Sequence, residues 1–298
     1  MMKHVWKCLI LSVCVFTLTF SGAYQAQSED CSALEQVWEA TGMILPESVL
    51  YDAEREVIYV SNIGGGRQDK DAGFIAKLGM DGEVQELKWV TGLNGTTGMG
   101  LKGSSLYVAE VSDVTEINVK TGEIVARYPV GNTGFLNDIA IDDDGTIYVT
   151  ATVEHAIYRI KDGKAELLVK DPVFEAPNGL LLDGDRLIVA SVGVPASPDA
   201  KGPAPGHVRT FSLTDQSIEF FATEEAPGNL DGLTPDGKGN YFLSDPASGK
   251  IMHLYASGEL KVLLTLPKGA NDILFLADSN LLLVPSMKDG KVIAYKFE

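Results

Sequence analysis

Cysteine is too scarce in this sequence to cross-link a fold. The 298 residues include three cysteines: Cys8 and Cys14 lie in an N-terminal apolar run, and Cys31 stands alone after it. A single remaining cysteine can form no internal disulfide, and Cys31 has no His-Asp context that would indicate a catalytic thiol. A chain of this length can bury a sufficient hydrophobic core without disulfides.

Basic residues are also few. Lys and Arg number 24 against 41 Asp and Glu, which gives a net charge of −17. Nucleic acids and anionic membrane surfaces need a basic footprint, so we expect neither as a partner. The partner that we expect, on the motifs described below, is a small-molecule substrate. Acidity by itself is typical of a solvated surface and is only weak evidence for cation binding.

The one long hydrophobic run lies at the N-terminus. Residues 8–20 (CLILSVCVFTLTF) follow Lys3 and Lys7 and precede the small residues 21–23. A positive start, a short apolar core and small residues before a polar stretch are typical of a secretory signal peptide, and the run is short for a membrane span. We interpret residues 1–23 as a signal peptide.

Cleavage of this segment is expected after Ala23 or Ala26, which leaves residues 24–33 as a linker. The mature protein would then be periplasmic or extracellular and free of the membrane. Its charge would be −19, because the segment contains two lysines and no acid. An uncleaved N-terminal anchor is the alternative.

Helical periodicity is absent over any useful length after residue 30, and a repeat of short strands takes its place. Six segments share a turn with an oxygen-bearing residue, an apolar run, a second turn and a β-branched or aromatic triplet. They are PESVLYDAEREVIYVSN (46–62), TTGMGLKGSSLYVAE (96–110), LNDIAIDDDGTIYVTA (136–151), PNGLLLDGDRLIVAS (177–191), LDGLTPDGKGNYFLSD (230–245) and ANDILFLADSNLLLVPS (270–286). The triplets recur every 40 to 54 residues, a period typical of propeller blades.

Each triplet is followed by further strand-like runs, joined by turns such as Asp81-Gly82 and Asp162-Gly163 that are typical of hairpins. The sequence therefore predicts an all-β, six-bladed β-propeller with four-stranded blades in a single domain, residues 34–298. The sixth unit ends after its third strand, so LEQVWEA (34–40) is expected to supply the outer strand and close the ring. A β-sandwich or barrel is the alternative, but neither requires a fixed repeat. We expect a monomer.

The repeat places one side-chain oxygen in the same phase of every unit, nine to eleven residues before the triplet. These residues, here called the oxygen ring, are Glu47, Thr97, Asn137, Asn178, Asp231 and Asn271. The first strand of a propeller blade lines the central channel, so the six positions should meet at one mouth of that channel.

Carboxylate and amide oxygens are the ligands that Ca²⁺ takes in proteins, whereas the absence of His and Cys from the ring disfavours Zn²⁺. Asn-Gly and Asp-Gly are also common turn dipeptides, so Asn178-Gly179 and Asp231-Gly232 can equally be turns alone. Glu47 is a poor turn residue in the same phase, and it favours the cation site.

The repeat and several short motifs resemble the SMP-30/gluconolactonase family of regucalcin-like, calcium-dependent lactonases over nearly the whole mature chain. Pro46-Glu47, Pro177-Asn178-Gly179-Leu180 and Leu230-Asp231-Gly232 are similar to the family's metal-binding segments. The resemblance implies that Glu47, Asn178 and Asp231 bind a divalent cation, calcium most of all.

Asn137 and Asp138 are similar to the family's Asn-Asp pair, and the resemblance implies that both contact metal-bound substrate. Phe135 stands where sugar lactonases of the family carry Arg, and Ser48-Val49 follows Glu47 in place of Gly-Pro and an aromatic residue. These differences predict a more apolar pocket without a basic contact to a polyhydroxy acid. The blades also resemble NHL-type and strictosidine-synthase-like propellers.

Other candidate contacts come from loops on the same predicted face. Glu154 and His155 follow the second strand of the third blade and are either substrate contacts or an exposed loop pair. The long loops 63–73 and 193–206 are candidate rims, because long loops in a compact domain are often functional.

In an enzyme of this kind, water would attack a metal-polarised lactone carbonyl with a carboxylate as general base. Asp231 is the first candidate for that base and Asp138 the second. A non-catalytic propeller that binds a small ligand or a protein is the alternative, and a metal-free, strictosidine-synthase-like protein is a third. Only the hydrolase needs Glu47, Asn178 and Asp231 to converge on one cation.

Overall fold

The computed structural model describes residues 34–131, 133–197, 199–267 and 269–298. The predicted signal peptide (1–23) and linker (24–33) lie outside these ranges. Within them, none of the helical segments has the length and apolar character needed to cross a membrane. The regular secondary structure of the described residues is β-strand, apart from short 3₁₀ turns at Pro172–Phe174 and Met287–Asp289.

In the described residues, the strands form six four-stranded antiparallel sheets, each of which is one blade. Blade 1 comprises β2 (Pro46–Asp52), β3 (Val57–Asn62), β4 (Gly73–Leu78) and β5 (Val84–Leu93). Blade 2 comprises β6 (Met99–Lys102), β7 (Ser105–Ala109), β8 (Asp113–Asn118) and β9 (Ile124–Pro129). Blade 3 comprises β10 (Leu136–Ile141), β11 (Ile147–Ala151), β12 (Ala156–Lys161) and β13 (Lys164–Lys170).

The second half of the chain repeats this order. Blade 4 comprises β14 (Pro177–Asp183), β15 (Arg186–Ser191), β16 (Val208–Ser212) and β17 (Ile218–Phe220). Blade 5 comprises β18 (Leu233–Pro235), β19 (Tyr241–Asp245), β20 (Lys250–Leu254) and β21 (Leu260–Thr265). Blade 6 comprises β22 (Leu274–Leu276), β23 (Leu281–Ser286), β24 (Lys291–Phe297) and β1 (Leu34–Thr41). The predicted six-bladed propeller is confirmed.

The ring is closed by the two ends of the described chain. β1 is the outer strand of blade 6 and pairs with β24 from Leu34↔Phe297 to Thr41↔Lys291. From this closing strand, Trp38 Nε1 also donates to Met80 O of blade 1 at 3.0 Å. The prediction that LEQVWEA (34–40) supplies the missing strand is confirmed.

Asp162-Gly163 shows why an outer hairpin turns where the sequence predicts. Lys161 pairs with Lys164, so the turn between β12 and β13 has two residues. Asp162 and Gly163 have φ angles of 50° and 73°. Positive φ at both central residues is typical of a type I′ turn, whose twist matches that of the flanking strands.

Apolar side chains fill the spaces between neighbouring blades. Tyr59 and Ile75 of blade 1 pack with Val108 and Ile117 of blade 2, and all four are fully buried. Burying an apolar side chain of this size contributes about 1.5–3 kcal/mol, so these seams hold the blades in place. Outer strands such as β13 remain largely in solvent.

The inner strands β2, β6, β10, β14, β18 and β22 contact one another around the centre. They all begin at the same end of the propeller, here called the ring face. Because the strands of a blade are antiparallel, the loop after each second strand returns to this face. The loop 63–72 between β3 and β4 is one of these.

Candidate metal and substrate site

The oxygen ring lies at the ring face, and all six of its side chains are at most 7% exposed. Backbone hydrogen bonds connect ring positions of adjacent blades, since Gly98 N donates to Asn137 O and Asp272 N donates to Glu47 O, both at 3.0 Å. Asn271 Nδ2 donates to Asp231 Oδ2 at 3.2 Å. The six positions therefore surround one channel mouth.

Hydroxyl groups of the second strands hold the backbone next to three of the ring residues. Ser61, Thr150 and Ser244 occupy the same place in β3, β11 and β19. Each accepts a hydrogen bond from the backbone nitrogen one residue after the ring position of its own blade, namely Ser48, Asp138 and Gly232, at 2.8 to 3.0 Å. Thr150 Oγ1 also donates to Asn178 O at 2.8 Å, so one hydroxyl joins two blades.

Three ring oxygens have no hydrogen-bond partner among the described residues. They are Glu47 Oε2, Asn178 Oδ1 and Asp231 Oδ1, and each is buried. A buried polar atom without a partner costs about 1–3 kcal/mol, so three of them at one site require an explanation. They belong to the three residues that the family resemblance implies as metal ligands.

The donors of this group are mixed. In the described part of the chain, no three Asp, Glu, His or Cys side chains converge as a metal-binding group. A cation at the ring would therefore need amide as well as carboxylate oxygens, a combination that suits Ca²⁺ better than Zn²⁺.

Four carboxyl groups at the ring have raised pKa values, and three of them are buried while Asp272 is partly buried. Burial raises the pKa of Asp231 to about 7, helped by the charge of Asp272. Burial also raises the pKa of Asp138 to about 7. The pKa of Glu47 is raised well above its usual range by burial and then by Asp231, and that of Asp272 by burial and then by Asp138. Without a compensating positive charge, a substantial fraction of these carboxyl groups is therefore protonated near neutral pH.

Asp138 and Asp272 form a second layer, one residue beyond the ring positions of blades 3 and 6. Both Asp138 oxygens accept backbone N–H groups, one of them from Leu180 at 2.7 Å. Asp272 Oδ2 accepts from Ser48 Oγ at 2.5 Å. Blade 2 has glycine at this position, and a Cβ on Gly98 would lie 2.4 Å from Asp138 Oδ1. The missing side chain therefore makes room for the carboxylate.

Gly179 allows the inner strands of blades 4 and 5 to approach each other. A Cβ on Gly179 would lie 2.1 Å from Asp231 O, so Gly179→Ala must displace a ring residue. We expect it to lower the free energy of unfolding by about 1–3 kcal/mol and the Tm by several degrees in thermal unfolding. Gly202→Ala is the matched control, since no atom lies within 4 Å of its added Cβ. Equal Tm values for the two variants would contradict the close approach.

Glu154 and His155 lie on the ring face but are held by local contacts. Tyr158 Oη donates to Glu154 Oε2 at 2.6 Å, and Lys170 Nζ lies 3.5 Å from Glu154 Oε1. His155 has a φ of 54°, and its Nδ1 accepts from Ala176 N at 2.8 Å. These contacts give both residues a structural role, and their contact with a substrate stays a prediction.

Asp272 and Arg67 are not among the residues predicted for the site. The repeat could have identified Asp272, because Asn271-Asp272 has the same sequence and phase as Asn137-Asp138. Arg67 had no such signal, since it belongs to a loop that the sequence marks only as a candidate rim. The Arg67 guanidinium carbon lies 3.9 Å from the centroid of the Phe135 ring. The presence of Phe135 in place of Arg predicted a pocket without a basic contact. Arg67, from a different loop, places a basic group beside Phe135.

Solved structures share this fold at low sequence identity. A gluconolactonase from Xanthomonas campestris is 18% identical, with a TM-score of 0.66 over 90% of this chain and 89% of that chain. A virginiamycin B lyase from Staphylococcus aureus is 13% identical, with a TM-score of 0.63 over 88% of this chain and 99% of that chain. A streptogramin B lyase is 12% identical, with a TM-score of 0.62 over 89% of this chain and 97% of that chain.

At these identities the solved structures show the fold alone, and the family is shown by comparison of sequences. No curated protein matches the sequence significantly. The family model described as SMP-30/Gluconolactonase/LRE-like region matches residues 45–287, which include blades 1 to 5, the strands β22 and β23 of blade 6 and the whole oxygen ring. This chain therefore belongs to the SMP-30/gluconolactonase/LRE-like family.

Proposed function

We propose that this protein is an exported hydrolase of a small lactone or ester that depends on a divalent cation, calcium most of all. The observation that carries the proposal is the set of buried, unpartnered oxygens on Glu47, Asn178 and Asp231. The N-terminal sequence supports a periplasmic or extracellular location. The acidic composition disfavours a nucleic acid as partner.

The ring residues fit a calcium ion in the kind and charge of their donors. Glu47 and Asp231 bring two carboxylates and Asn178 brings an amide, all of them hard oxygen donors. A cation held by these residues would satisfy the three unpaired oxygens and offset the repulsion that contributes to the raised pKa of Glu47. A divalent ion bound there supplies Lewis-acid polarisation of a substrate carbonyl.

Asp231 is better suited than Asp138 to act as the general base. Asp231 Oδ1 is unpartnered among the described residues, whereas both oxygens of Asp138 already accept backbone N–H groups. A carboxylate oxygen has two lone pairs, so Asp231 Oδ1 could bind a cation with one and take a proton from the attacking water with the other. The same carboxyl can then return that proton to the oxygen that leaves as the ester bond breaks.

Asn137 is suited to orient the substrate. Its side chain is 4% exposed, and its amide forms no hydrogen bond within the described residues. Its backbone oxygen is already used, because it accepts from Gly98 N at 3.0 Å. The amide therefore remains available for a hydroxyl or ring oxygen of a lactone.

The test is hydrolysis of a panel of lactones and aryl esters by the purified mature protein, with calcium and after chelation by EGTA. We expect hydrolysis of at least one lactone with calcium, its loss with EGTA and its return when calcium is restored. Hydrolysis that chelation leaves unchanged would contradict the cation dependence. Calcium binding without hydrolysis of any compound would instead favour the alternative, a non-catalytic propeller.

A further inference from the structure

The loop 63–72 carries Arg67 across the ring face from blade 1 to blade 3. Its guanidinium carbon lies 3.9 Å from the centroid of the Phe135 ring. Phe135 is 8% exposed and precedes the ring residue Asn137 by two positions. The negative face of an aromatic ring attracts a guanidinium, which favours this position of the side chain.

The backbone of the loop is anchored beneath Arg67. Asp71 N donates to Asn94 Oδ1 at 3.0 Å, and Asn94 Nδ2 donates to the buried Glu110 carboxylate at 3.0 Å. Arg67 O lies 2.5 Å from where a Cβ on Gly95 would stand, so a larger residue there would displace the loop. Arg67 is therefore held in place before any substrate binds.

The guanidinium is available to an anion. No carboxylate in the described residues forms an ion pair with Arg67. The positive charge of Arg67 nevertheless acts at the ring, because it lowers the pKa of Glu47 and of Asp231 against the larger effect of burial. Arginine presents its N–H donors in a planar fork that matches a carboxylate, and stacking on an aromatic ring uses the face of that plane, not its edges.

We infer that Arg67 and Phe135 form the specificity element of this site and select lactones or esters that carry a carboxylate away from the scissile bond. The inference rests on the proposed function, because the scissile carbonyl must lie at the oxygen ring. The rest of the site is acidic and would repel an anionic substrate. A fixed guanidinium beside it supplies the opposite charge and a planar set of donors.

The test compares two lactones that differ by one carboxylate, γ-butyrolactone and γ-butyrolactone-γ-carboxylate. The readout is the ratio of kcat/KM for the carboxylated lactone to kcat/KM for the neutral one. We expect Arg67→Met to lower this ratio by about 10- to 100-fold, the range that loss of a charge-assisted hydrogen bond produces. Lys70→Met, which removes an exposed cation from the same loop, is the matched control and should keep the wild-type ratio.

Phe135→Leu keeps the guanidinium but removes the aromatic face, and we expect it to lower the ratio less than Arg67→Met does. An unchanged ratio in Arg67→Met, or an equal fall in Lys70→Met, would overturn the inference. Calorimetric titration with 2-hydroxyglutarate, the product of the carboxylated lactone, provides a readout without turnover. If no lactone is hydrolysed, the proposed function fails and this titration decides: weaker binding to Arg67→Met supports the element, and equal or absent binding overturns it.

Discussion

Asparagine in place of Asp231 is expected to lower kcat/KM for lactone hydrolysis by about 10²–10⁴-fold, the range that removal of a general base produces. The amide keeps the shape of the side chain and can still accept from Asn271 Nδ2, which donates to Asp231 Oδ2 at 3.2 Å. It replaces the unpartnered oxygen by an NH₂ group, which can neither bind a cation nor take a proton. The kcat/KM for the best lactone of the panel measures the loss of the base, and calcium titration of each variant measures the loss of the cation ligand.

Two further variants separate the roles of this residue. Glu47→Gln removes a candidate ligand that is not the candidate base, so raising the calcium concentration should restore its activity more fully than that of Asp231→Asn. Asp143→Asn makes the same chemical change on a fully exposed side chain in the β10–β11 turn and should behave like wild type. Wild-type activity and calcium affinity in Asp231→Asn would contradict both roles.

Thermal stability without a cation is expected to fall as the pH rises from about 5 to about 8. Burial raises the pKa of Asp138 and of Asp231 from an ordinary 3.8 to about 7. Between these values the folded protein binds more protons than the unfolded chain, so the free energy of unfolding decreases as the pH rises through this window. The stability that these groups contribute is present below the unfolded pKa and is lost as the pH passes the folded one. A loss of several kcal/mol lowers Tm by roughly 5–10 °C in a domain of this size.

Calcium should counteract this fall of Tm with rising pH. A cation and protons compete for the same oxygens, so calcium should raise Tm more at pH 8 than at pH 5. The measurement is calorimetry of the mature protein in EDTA and in calcium at both pH values. Asp138→Asn removes one of the titrating groups and should flatten the curve in EDTA. A Tm in EDTA that rises between pH 5 and 8 would show that the buried carboxyls do not control stability.

Much of the fold could be predicted because it depends on local chemistry repeated along the chain. The turn at Asp162-Gly163 illustrates this, since two adjacent residues that tolerate positive φ are enough to specify a tight hairpin. The closing strand 34–40 could also be predicted, because the sixth unit lacks one strand and only the N-terminal segment remained to supply it.

The site could be predicted only in part. The phase of the repeat brought the six ring residues to one mouth, and Asp272 could have been added by comparing Asn271-Asp272 with Asn137-Asp138. The local partners of Glu154 and His155 could not be predicted, because Tyr158 and Ala176 reach them through the path of the backbone between strands. Loops lack the periodicity on which strand prediction depends.

The sequence by itself determined the number of blades, the closure of the ring and the phase of the oxygen-bearing residues, because each follows from short motifs repeated at regular intervals. Only the tertiary structure decided which of those oxygens remain unpartnered, since that depends on every neighbour a side chain meets in the folded protein. It also decided that Arg67 lies over Phe135, two residues that belong to different blades. Their meeting depends on the path of a non-repeating loop across the ring face, and no spacing in the sequence encodes that path.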